Sequence, residues 1–535
     1  MFRQPCWRPF ANSVSSSFFA DLRGTLFRNG PGKFHHSVDG RVRHVLDGDG
    51  LILKLDFRDD GIVYFSSSFV ETPCFAKEEM SGRVEMRTTF GTGRSIDSAA
   101  VNADTIKERK VVDALVNAGD VAIKNTANTH CVLFGGKLLA LFEAGAPWEL
   151  DPDTLETVGP YSMNGNVPLG EDKEERLAVK LDIPNLDFLP KMNGRAHTAH
   201  PKRCPLSGRM VSWTWAQDPT KGILDVRVSE YEEQDAGSFR EAFGVDFNLD
   251  VDLAPHDFAI TRNYCVFVLN ALSMEPAMFM AGLKGPAECL KMDGREKVKV
   301  ALVPRPSGDK AGESPIIATM DACFAIHFSH AYEDGNEVIA HFSGWPENDS
   351  KTFLGAWGGQ VPEFDKIPPT FIWRLTFDLN TSEASLKVAN NCRNICGEHL
   401  KVHPLFQTKK CDNVYVVSSN TVGTSSPPAG YSGMKVEEEE EEGGALLKKV
   451  DSYWWGNRFF AMEPVIAPKI GAKNEYDGYL LGMVQDTAKD VAFLAIFDLA
   501  KGLAQGPVAE VEIPFRLPHG LHGSWKEAGN LSSYF

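Results

Sequence analysis

The feature that most constrains this chain is the repeated alternation of short apolar runs with turns rich in Asp, Gly and Pro. Residues 41–46 and 51–57 flank an Asp-Gly-Asp-Gly turn, and residues 61–69 follow another Asp/Gly turn. Residues 137–143 run toward an Asp-Pro-Asp turn at 151–153. Strand-length apolar runs separated by such turns are typical of antiparallel hairpins. The sequence therefore predicts an all-β fold.

Long amphipathic helices are few in this pattern, and residues 106–118 and 225–243 are the best candidates. Hairpins that continue for more than 500 residues need an architecture that hides strand edges, and a β-propeller does so by radial repetition. We see no strict internal repeat. The pattern predicts a single propeller domain over residues 1–535.

Two segments are expected to lie outside the folded core. Residues 421–433 are rich in Ser, Pro and Gly, and residues 437–442 are an unbroken run of Glu. Because like charges at this density repel one another and stay solvated, we predict a flexible acidic insertion over residues 421–446. The N-terminus, residues 1–20, is predicted to be weakly ordered.

Charge and cysteine content exclude several functions. The net charge of −17 disfavours nucleic acid, because phosphate binding depends on clustered Lys and Arg. The ten cysteines are scattered and include no CxxC pair, which favours reduced thiols and an intracellular protein. No apolar run approaches the ~20 residues of a membrane span.

Histidine is the residue type most suggestive of chemistry. Several of the fourteen histidines lie beside turn residues and apolar strands, but they are far apart in sequence and no HExxH motif is present. A single histidine at such a position is usually structural. Imidazoles that converge from different blades would nevertheless bind a divalent first-row metal. Carboxylates would then be expected to accept the other ring N–H of each imidazole.

Several longer motifs resemble those of the carotenoid cleavage oxygenases. They are Gly-Thr-Leu-Phe-Arg-Asn-Gly-Pro-Gly at 24–32, His44 with its Asp-Gly-Asp-Gly turn, Ala-Asn-Thr at 127–129, and Leu-Leu-Ala-Leu-Phe-Glu at 138–143 with residues 149–159. The resemblance runs from about residue 22 to residue 525. It implies a seven-bladed β-propeller with iron on its axis and a cap of loops and short helices that forms the substrate tunnel.

The resemblance also implies a metal site made of four histidines. They lie in the motifs Ala-His-Pro, His-Asp-Phe-Ala-Ile-Thr, Phe-Ala-Ile-His and Leu-His-Gly-Ser-Trp, and they are His200, His256, His327 and His522. The metal implied is Fe(II). The family's supporting carboxylates match Glu143, Glu398 and Glu463.

Three positions bear on how far this match extends. His330 stands where relatives carry Asn, and the segment after Glu398 departs from the family's usual Glu-Phe-Pro. Thr129 matches a family threonine near the open metal position, where its methyl group would restrict access.

The activity implied is dioxygenase cleavage of a conjugated double bond in a carotenoid or apocarotenoid, with O2, to aldehyde or ketone products. Phe142, beside Glu143, fits a polyene, whereas stilbene-cleaving relatives are expected to carry Lys there. Alternatives are a stilbene-cleaving member, a retinoid-isomerising member, and a propeller that binds carotenoid without turnover. Residues 101–121 correspond to a membrane-facing patch in relatives, so peripheral membrane contact is expected, in the cytoplasm or a plastid.

Overall fold

The computed structural model describes most of the chain. The described residues are 8–10, 21–36, 41–42, 44–90, 116–180, 192–235, 237–292, 297–346, 370–388, 395–420, 429–436 and 447–535. Within them the strands form seven antiparallel blades of four principal strands each. The fold is a seven-bladed β-propeller, as the sequence predicts.

The first blade joins the two ends of the chain. Its C-terminal strand pairs with the strand that begins at Gly24, and this pairing closes the ring, so that the propeller has no open edge between first and last blade. Its strands are β2 (Gly24–Asn29), β4 (Asp49–Phe57), β5 (Val63–Phe69) and β33 (His522–Glu527), with β1 (Arg8–Phe10) and β3 (Pro31–Lys33) at the margins.

The other six blades follow in chain order. The second contains β6 (His130–Phe134), β7 (Lys137–Leu141), β8 (Trp148–Leu150) and β9 (Thr157–Pro160). The third contains β10 (Ala196–His197), β12 (Met210–Asp218), β13 (Ile223–Gln234) and β14 (Ser238–Leu249), with β11 (Lys202–Arg203) paired to β12. The fourth contains β15 (Ala259–Ile260), β16 (Tyr264–Leu269), β19 (Val298–Pro304) and β20 (Ile316–Met320).

The fifth blade contains β21 (Phe324–Asp334), β22 (Glu337–Trp345), β23 (Phe371–Asp378) and β24 (Glu383–Val388). The sixth contains β25 (Ile395–Lys401), β26 (Asn413–Asn420), β27 (Gly430–Val436) and β28 (Leu447–Trp454). The seventh contains β29 (Phe459–Pro468), β30 (Gly478–Asp486), β31 (Val491–Asp498) and β32 (Ala509–Ile513). A ribbon of β17 (Leu272–Met274) and β18 (Leu290–Met292) and the α-helices α1 (Pro73–Ser81) and α2 (Pro276–Met280) lie outside the blades. Short 3-10 helices lie at Val45–Asp47, Met163–Gly165, Ala287–Cys289, Pro404–Phe406 and Leu503–Gln505.

The hydrophobic core lies between neighbouring blades. Trp213 of the third blade packs edge-to-face on Phe267 of the fourth, with ring centroids 5.6 Å apart. Clusters of the same kind join the fourth blade to the fifth and the seventh to the first. Each blade therefore buries both of its faces, which explains the apolar runs without strict alternation in its central strands.

One strand of each blade lies toward the axis, where β21, β25, β29, β33 and β6 contact one another in turn. Three of these strands contain β-bulges, at residues 325–330, 398–401 and 461–464. A bulge adds a residue to one strand and redirects the side chains beside it. Those three segments carry His327, Glu398 and Glu463.

Two secondary-structure predictions are wrong. Residues 225–243 are not a helix but belong to β13 and β14. Val226 and Val228 are buried, while the intervening Arg227 forms cross-strand ion pairs with Glu241 and Asp246. This charged outer face resembles the polar side of a helix. Residues 45–47 form a 3-10 turn, so β4 pairs with β3 rather than with a strand at 41–46.

The predicted insertion over 421–446 is also wrong in part. Residues 421–428 and 437–446 lie outside the described residues, but Gly430–Val436 between them is a strand whose Tyr431 is fully buried. The helix expected at 106–118 lies almost entirely outside the described residues, as does the expected N-terminal segment 1–20 apart from β1.

Two further expectations concern membranes and thiols. Among the helices of the described residues, none has the length and hydropathy needed to cross a membrane. Seven cysteines whose side chains the structure describes are free thiols, as expected for reduced residues; they are Cys74, Cys131, Cys204, Cys265, Cys289, Cys323 and Cys411.

Candidate metal centre

All seven residues expected at the centre come from different blades. The second, sixth and seventh blades carry Glu143, Glu398 and Glu463, and the third, fourth, fifth and first carry His200, His256, His327 and His522. They lie at or beside the axial strands. The propeller thus brings together residues that are hundreds of positions apart.

The four imidazoles surround a common point. The ring centroid of His200 is 4.6 Å from that of His256, 5.2 Å from that of His327 and 4.6 Å from that of His522. The Nε2 atoms of His256 and His327 are 3.2 Å apart. Two nitrogens about 2.1 Å from one ion, and at right angles about it, lie about 3.0 Å apart. The observed spacing fits two neighbouring ligands of one metal.

Three of the imidazoles are oriented by glutamates. Nδ1 of His256 donates to Glu143 at 2.6 Å, and Nδ1 of His327 donates to Glu398 at 2.6 Å. Nδ1 of His522 likewise donates to Glu463 at 2.8 Å. Each bond places the proton on Nδ1 and leaves the Nε2 lone pair for a ligand bond.

His200 differs because it has no carboxylate partner in the described structure. Its ring is buried, and its Nε2 has neither solvent contact nor a hydrogen-bond partner among the described residues. Burial holds the pKa of His200 well below its usual value, and the neighbouring imidazoles lower that pKa further. His200 is therefore neutral near pH 7 and its lone pair is available.

The carboxylates are charged at neutral pH. Burial alone would raise the pKa of Glu398, but the electrostatic interaction and the hydrogen bond with His327 lower it to about 2. Burial acts in the same way on Glu463, whose pKa is held well below its usual value by Lys401 and His522. The Lys401 ammonium lies 2.8 Å from the same Glu463 oxygen that accepts from His522. A carboxylate that accepts a hydrogen bond from Nδ1 raises the basicity of Nε2, so that each imidazole binds a metal ion more strongly.

Sequence reasoning missed several residues that support the centre. The carboxylate of Asp257, next to His256, pairs with Lys202 at 2.7 Å and accepts from the Phe328 backbone N–H at 2.7 Å. It thereby joins the segments that carry three of the histidines. The signal was in the sequence, because Asp257 follows a predicted ligand.

His130 is a second omission. It is buried, and its ring nitrogens lie 3.1 Å from the carbonyl of Ala199 and 3.3 Å from that of Gly523, each beside a histidine of the centre. Thr129, the predicted access residue, is half-buried just before β6, and its hydroxyl lies 3.4 Å from the Asn128 amide oxygen.

A fifth histidine of the centre was not predicted. His399 lies with His327 and His522 in a group whose ligand nitrogens are all within 4.8 Å of one another, and a second such group contains His200, His256 and His327. A cavity reaches the centre between these groups. Its walls include His200, His327, His399 and His522 together with Lys202, Lys401, Asp257 and Glu463.

Comparison with known proteins agrees with the motifs and the fold. The family model described as RPE65, retinal pigment epithelial membrane protein, matches residues 20–527. The chain belongs to the RPE65/carotenoid cleavage oxygenase family. It is 27% identical to apocarotenoid-15,15'-oxygenase from Synechocystis sp. over 97% of this chain and 94% of the relative.

Relatives with other named substrates also match. The chain is 26% identical to resveratrol cleavage oxygenase 1 of Aspergillus fumigatus, over 91% of this chain and 86% of that protein. A solved structure of a Synechocystis apocarotenoid oxygenase mutant superposes with a TM-score of 0.80 at 24% identity, covering 98% of this chain and 97% of that one. A cobalt-substituted form of that oxygenase superposes with a TM-score of 0.78. These relatives confirm the predicted family, fold and oxygenase class.

Proposed function

We propose that this chain is an Fe(II)-dependent dioxygenase that cleaves a conjugated double bond of a carotenoid or apocarotenoid. The ligands would be His200, His256, His327 and His522. The observation that carries the proposal is the orientation of the imidazoles, because three have their Nδ1 atoms bound to glutamates, and the Nε2 atoms of His256 and His327 lie 3.2 Å apart, as two ligands of one ion would.

The donor set suits a divalent first-row metal. Imidazole nitrogen binds iron, zinc and copper, and four neutral donors leave the charge of the ion uncompensated among its direct ligands. Glu143, Glu398 and Glu463 supply three negative charges one residue further out. The iron would supply the electrons that activate O2. Adding both oxygen atoms across one C=C bond yields two carbonyl groups, so no further reductant is required.

The residues of the chain would act by positioning. The glutamates fix the tautomer and the plane of each ring, and His130 holds the backbone beside His200 and His522. Thr129 is proposed to narrow access to the open metal position. None of these groups has to move a proton during the reaction, because bond cleavage consumes only O2 and the alkene.

The choice of a polyene over a stilbene rests on Phe142. It is only 7% exposed and precedes Glu143. An apolar ring there suits an apolar chain, whereas a phenol would leave its hydroxyl beside Phe142 without a polar partner. The stilbene-cleaving alternative remains a specific competitor, because relatives named for lignostilbene and resveratrol also match this chain.

The test is anaerobic purification, metal analysis, Fe(II) reconstitution and product identification by mass spectrometry. The substrates are β-carotene, an apocarotenal, a retinoid ester and resveratrol, each with and without O2. We expect O2-dependent aldehydes from the apocarotenal and none from resveratrol. The reverse preference would support the stilbene alternative, and isomerised retinoid without O2 uptake would support the isomerase. Iron binding without turnover of any substrate would favour a carotenoid-binding propeller.

We further propose that the protein contacts membranes at α2, where a long apolar substrate would be taken up. Met278, Met280 and Leu283 are 39%, 47% and 47% exposed around this helix. Residues 116–120 lie against it, since the Gly119 N–H bonds the Met280 carbonyl. Met280→Glu should reduce flotation with phosphatidylcholine liposomes, whereas Ile470→Glu, on a loop after β29, should not. Equal flotation of both variants would refute this contact.

A further inference from the structure

His399 occupies an unusual backbone position beside the centre. In the β25–β26 pairing, Glu398 lies opposite Val417 and Lys401 lies opposite Tyr415, so β25 contains one extra residue. His399 lies in this bulge with φ of 53°, in the left-handed region. Non-glycine residues adopt that conformation only where the surrounding structure demands it.

The bulge changes where the side chain of His399 lies. In a regular strand, Glu398 and His399 would point to opposite faces of the blade. Here both lie at the axis. Glu398 contacts His327, and the ring of His399 stacks on the same His327 with centroids 5.0 Å apart and planes 24° apart.

The side chain of His399 has one ring nitrogen that the described structure leaves without a partner. Its Nδ1 is buried without a hydrogen-bond partner among the described residues. The nearest carboxylate oxygen, Oε1 of Glu463, lies 3.9 Å away, beyond hydrogen-bonding distance. Other buried imidazoles in the described part of the chain also have ring nitrogens without a partner, but His399 differs from them in its position, because its ligand nitrogen lies within 4.8 Å of those of His327 and His522.

We propose that His399 is a fifth imidazole ligand of the metal centre, in addition to His200, His256, His327 and His522. The inference rests on the proposed function and deepens it. A six-coordinate ion held by five imidazoles keeps one position for a small molecule, whereas four imidazoles leave two. His399 would therefore limit the centre to one exchangeable ligand and tighten its hold on the ion.

The test uses the full-length protein, freed of metal by chelation and titrated with Co²⁺ alone under argon. His399→Asn tolerates the left-handed backbone and removes the imidazole, and His399→Phe keeps the ring but removes its nitrogens. The matched control is His341→Phe on β22. His341 is fully buried, and both its ring nitrogens lack hydrogen-bond partners among the described residues.

We expect both His399 variants to bind Co²⁺ about 10–100-fold more weakly than the wild type, the range seen when a supporting residue of a metal site is lost. Their visible Co²⁺ bands should intensify, because those bands strengthen as the coordination number falls. The control should match the wild type in both respects. Wild-type spectra and affinity in a folded His399 variant would overturn the inference.

A second measurement needs no variant. In proton NMR of the Co²⁺-loaded wild type, each coordinated imidazole gives one strongly shifted, exchangeable N–H signal. Five such signals support the inference and four overturn it, whatever happens to the folding of the variants. Failure of the proposed centre would look different, because the wild type would then bind no Co²⁺ or His256→Ala would bind it equally well.

Discussion

Two clusters in this protein combine histidine with carboxylates, and they differ in what lies between them. At the axis, the carboxylates lie outside a ring of imidazoles whose Nε2 atoms face inward. Near α1, His36, Asp49 and Glu78 also lie within metal-binding distance of one another. There, however, the Lys124 ammonium lies 2.6 Å from Asp49 and 2.5 Å from Glu78.

The comparison shows that proximity of ligand types does not make a metal site. Lys124 already gives the α1 cluster the cation that its carboxylates need, and His36 lies between carboxylates on both ring nitrogens. In the axial cluster the only nearby ammonium groups, among the described residues, pair with carboxylates behind the imidazoles. The inward nitrogens are left for an ion.

The largest effect is expected from His256→Ala. If His256 is a ligand as proposed, its removal should abolish both iron binding and turnover, since losing even a supporting residue costs about 10–100-fold in affinity. His36→Ala should keep a full equivalent of iron. Metal analysis of both purified variants makes the comparison, and iron loss in the His36 variant alone would reverse the assignment of the two clusters.

The next largest effect is expected from Lys124→Met. Lys124 is 1% exposed, and its loss removes the ammonium group that lies between Asp49 and Glu78. Removing one partner of a buried ion pair costs about 3–5 kcal/mol. Urea unfolding of the metal-free protein measures this change. Lys221→Met, which removes an exposed partner of Asp218, should cost about 0–1 kcal/mol. Equal losses would show that the α1 cluster is not a buried structural network.

A smaller effect is expected from Glu398→Gln. The amide oxygen can still accept from His327, but the negative charge is gone. We expect about 10–100-fold weaker metal binding, which is about 1.4–2.7 kcal/mol. Glu78→Gln in the α1 cluster should leave Co²⁺ affinity unchanged. A titration that gives equal affinities for Glu398→Gln and the wild type would show that the carboxylate does not support the metal.

The smallest effect is the change of folding stability with pH. The histidine at the axis and the histidine near α1 should lose their contributions in opposite pH directions. Burial lowers the pKa of His130 to about 4. Its contribution to the free energy of unfolding is therefore full above pH 6.5 and is lost as pH falls toward 4. Burial would also lower the pKa of His36, but Asp49 and Glu78 raise it to about 9. The contribution of His36 to the free energy of unfolding is therefore full below pH 6.5 and is lost as pH rises through 9.

Melting temperatures of the metal-free protein between pH 5 and pH 10 test this difference. His130→Gln should flatten the acid side of the profile and His36→Gln the alkaline side. If either variant flattens the opposite side, the charge state assigned to that histidine is wrong.

The sequence by itself determined the propeller and the family. Asp/Gly turns between short apolar runs are local signals, because turn conformation and strand burial depend on neighbouring residues. The four histidine motifs and three glutamates could be matched one by one for the same reason, and the structure brings all seven to the axis. The prediction from sequence was wrong at residues 225–243. There, the charged residues on the outer face of β13 and β14 resemble the polar side of an amphipathic helix.

Only the tertiary structure showed how the histidines meet and that His399 lies among them. The pairing of His256 with Glu143 joins the fourth blade to the second, and that of His522 with Glu463 joins the first to the seventh. The bulges of β21, β25 and β29 are set by strand pairing, so they leave no periodic signal in the chain. One of them brings His399 to the centre. Likewise, only the folded chain shows Lys124 between Asp49 and Glu78, because the electrostatic role of a charge depends on what is buried with it.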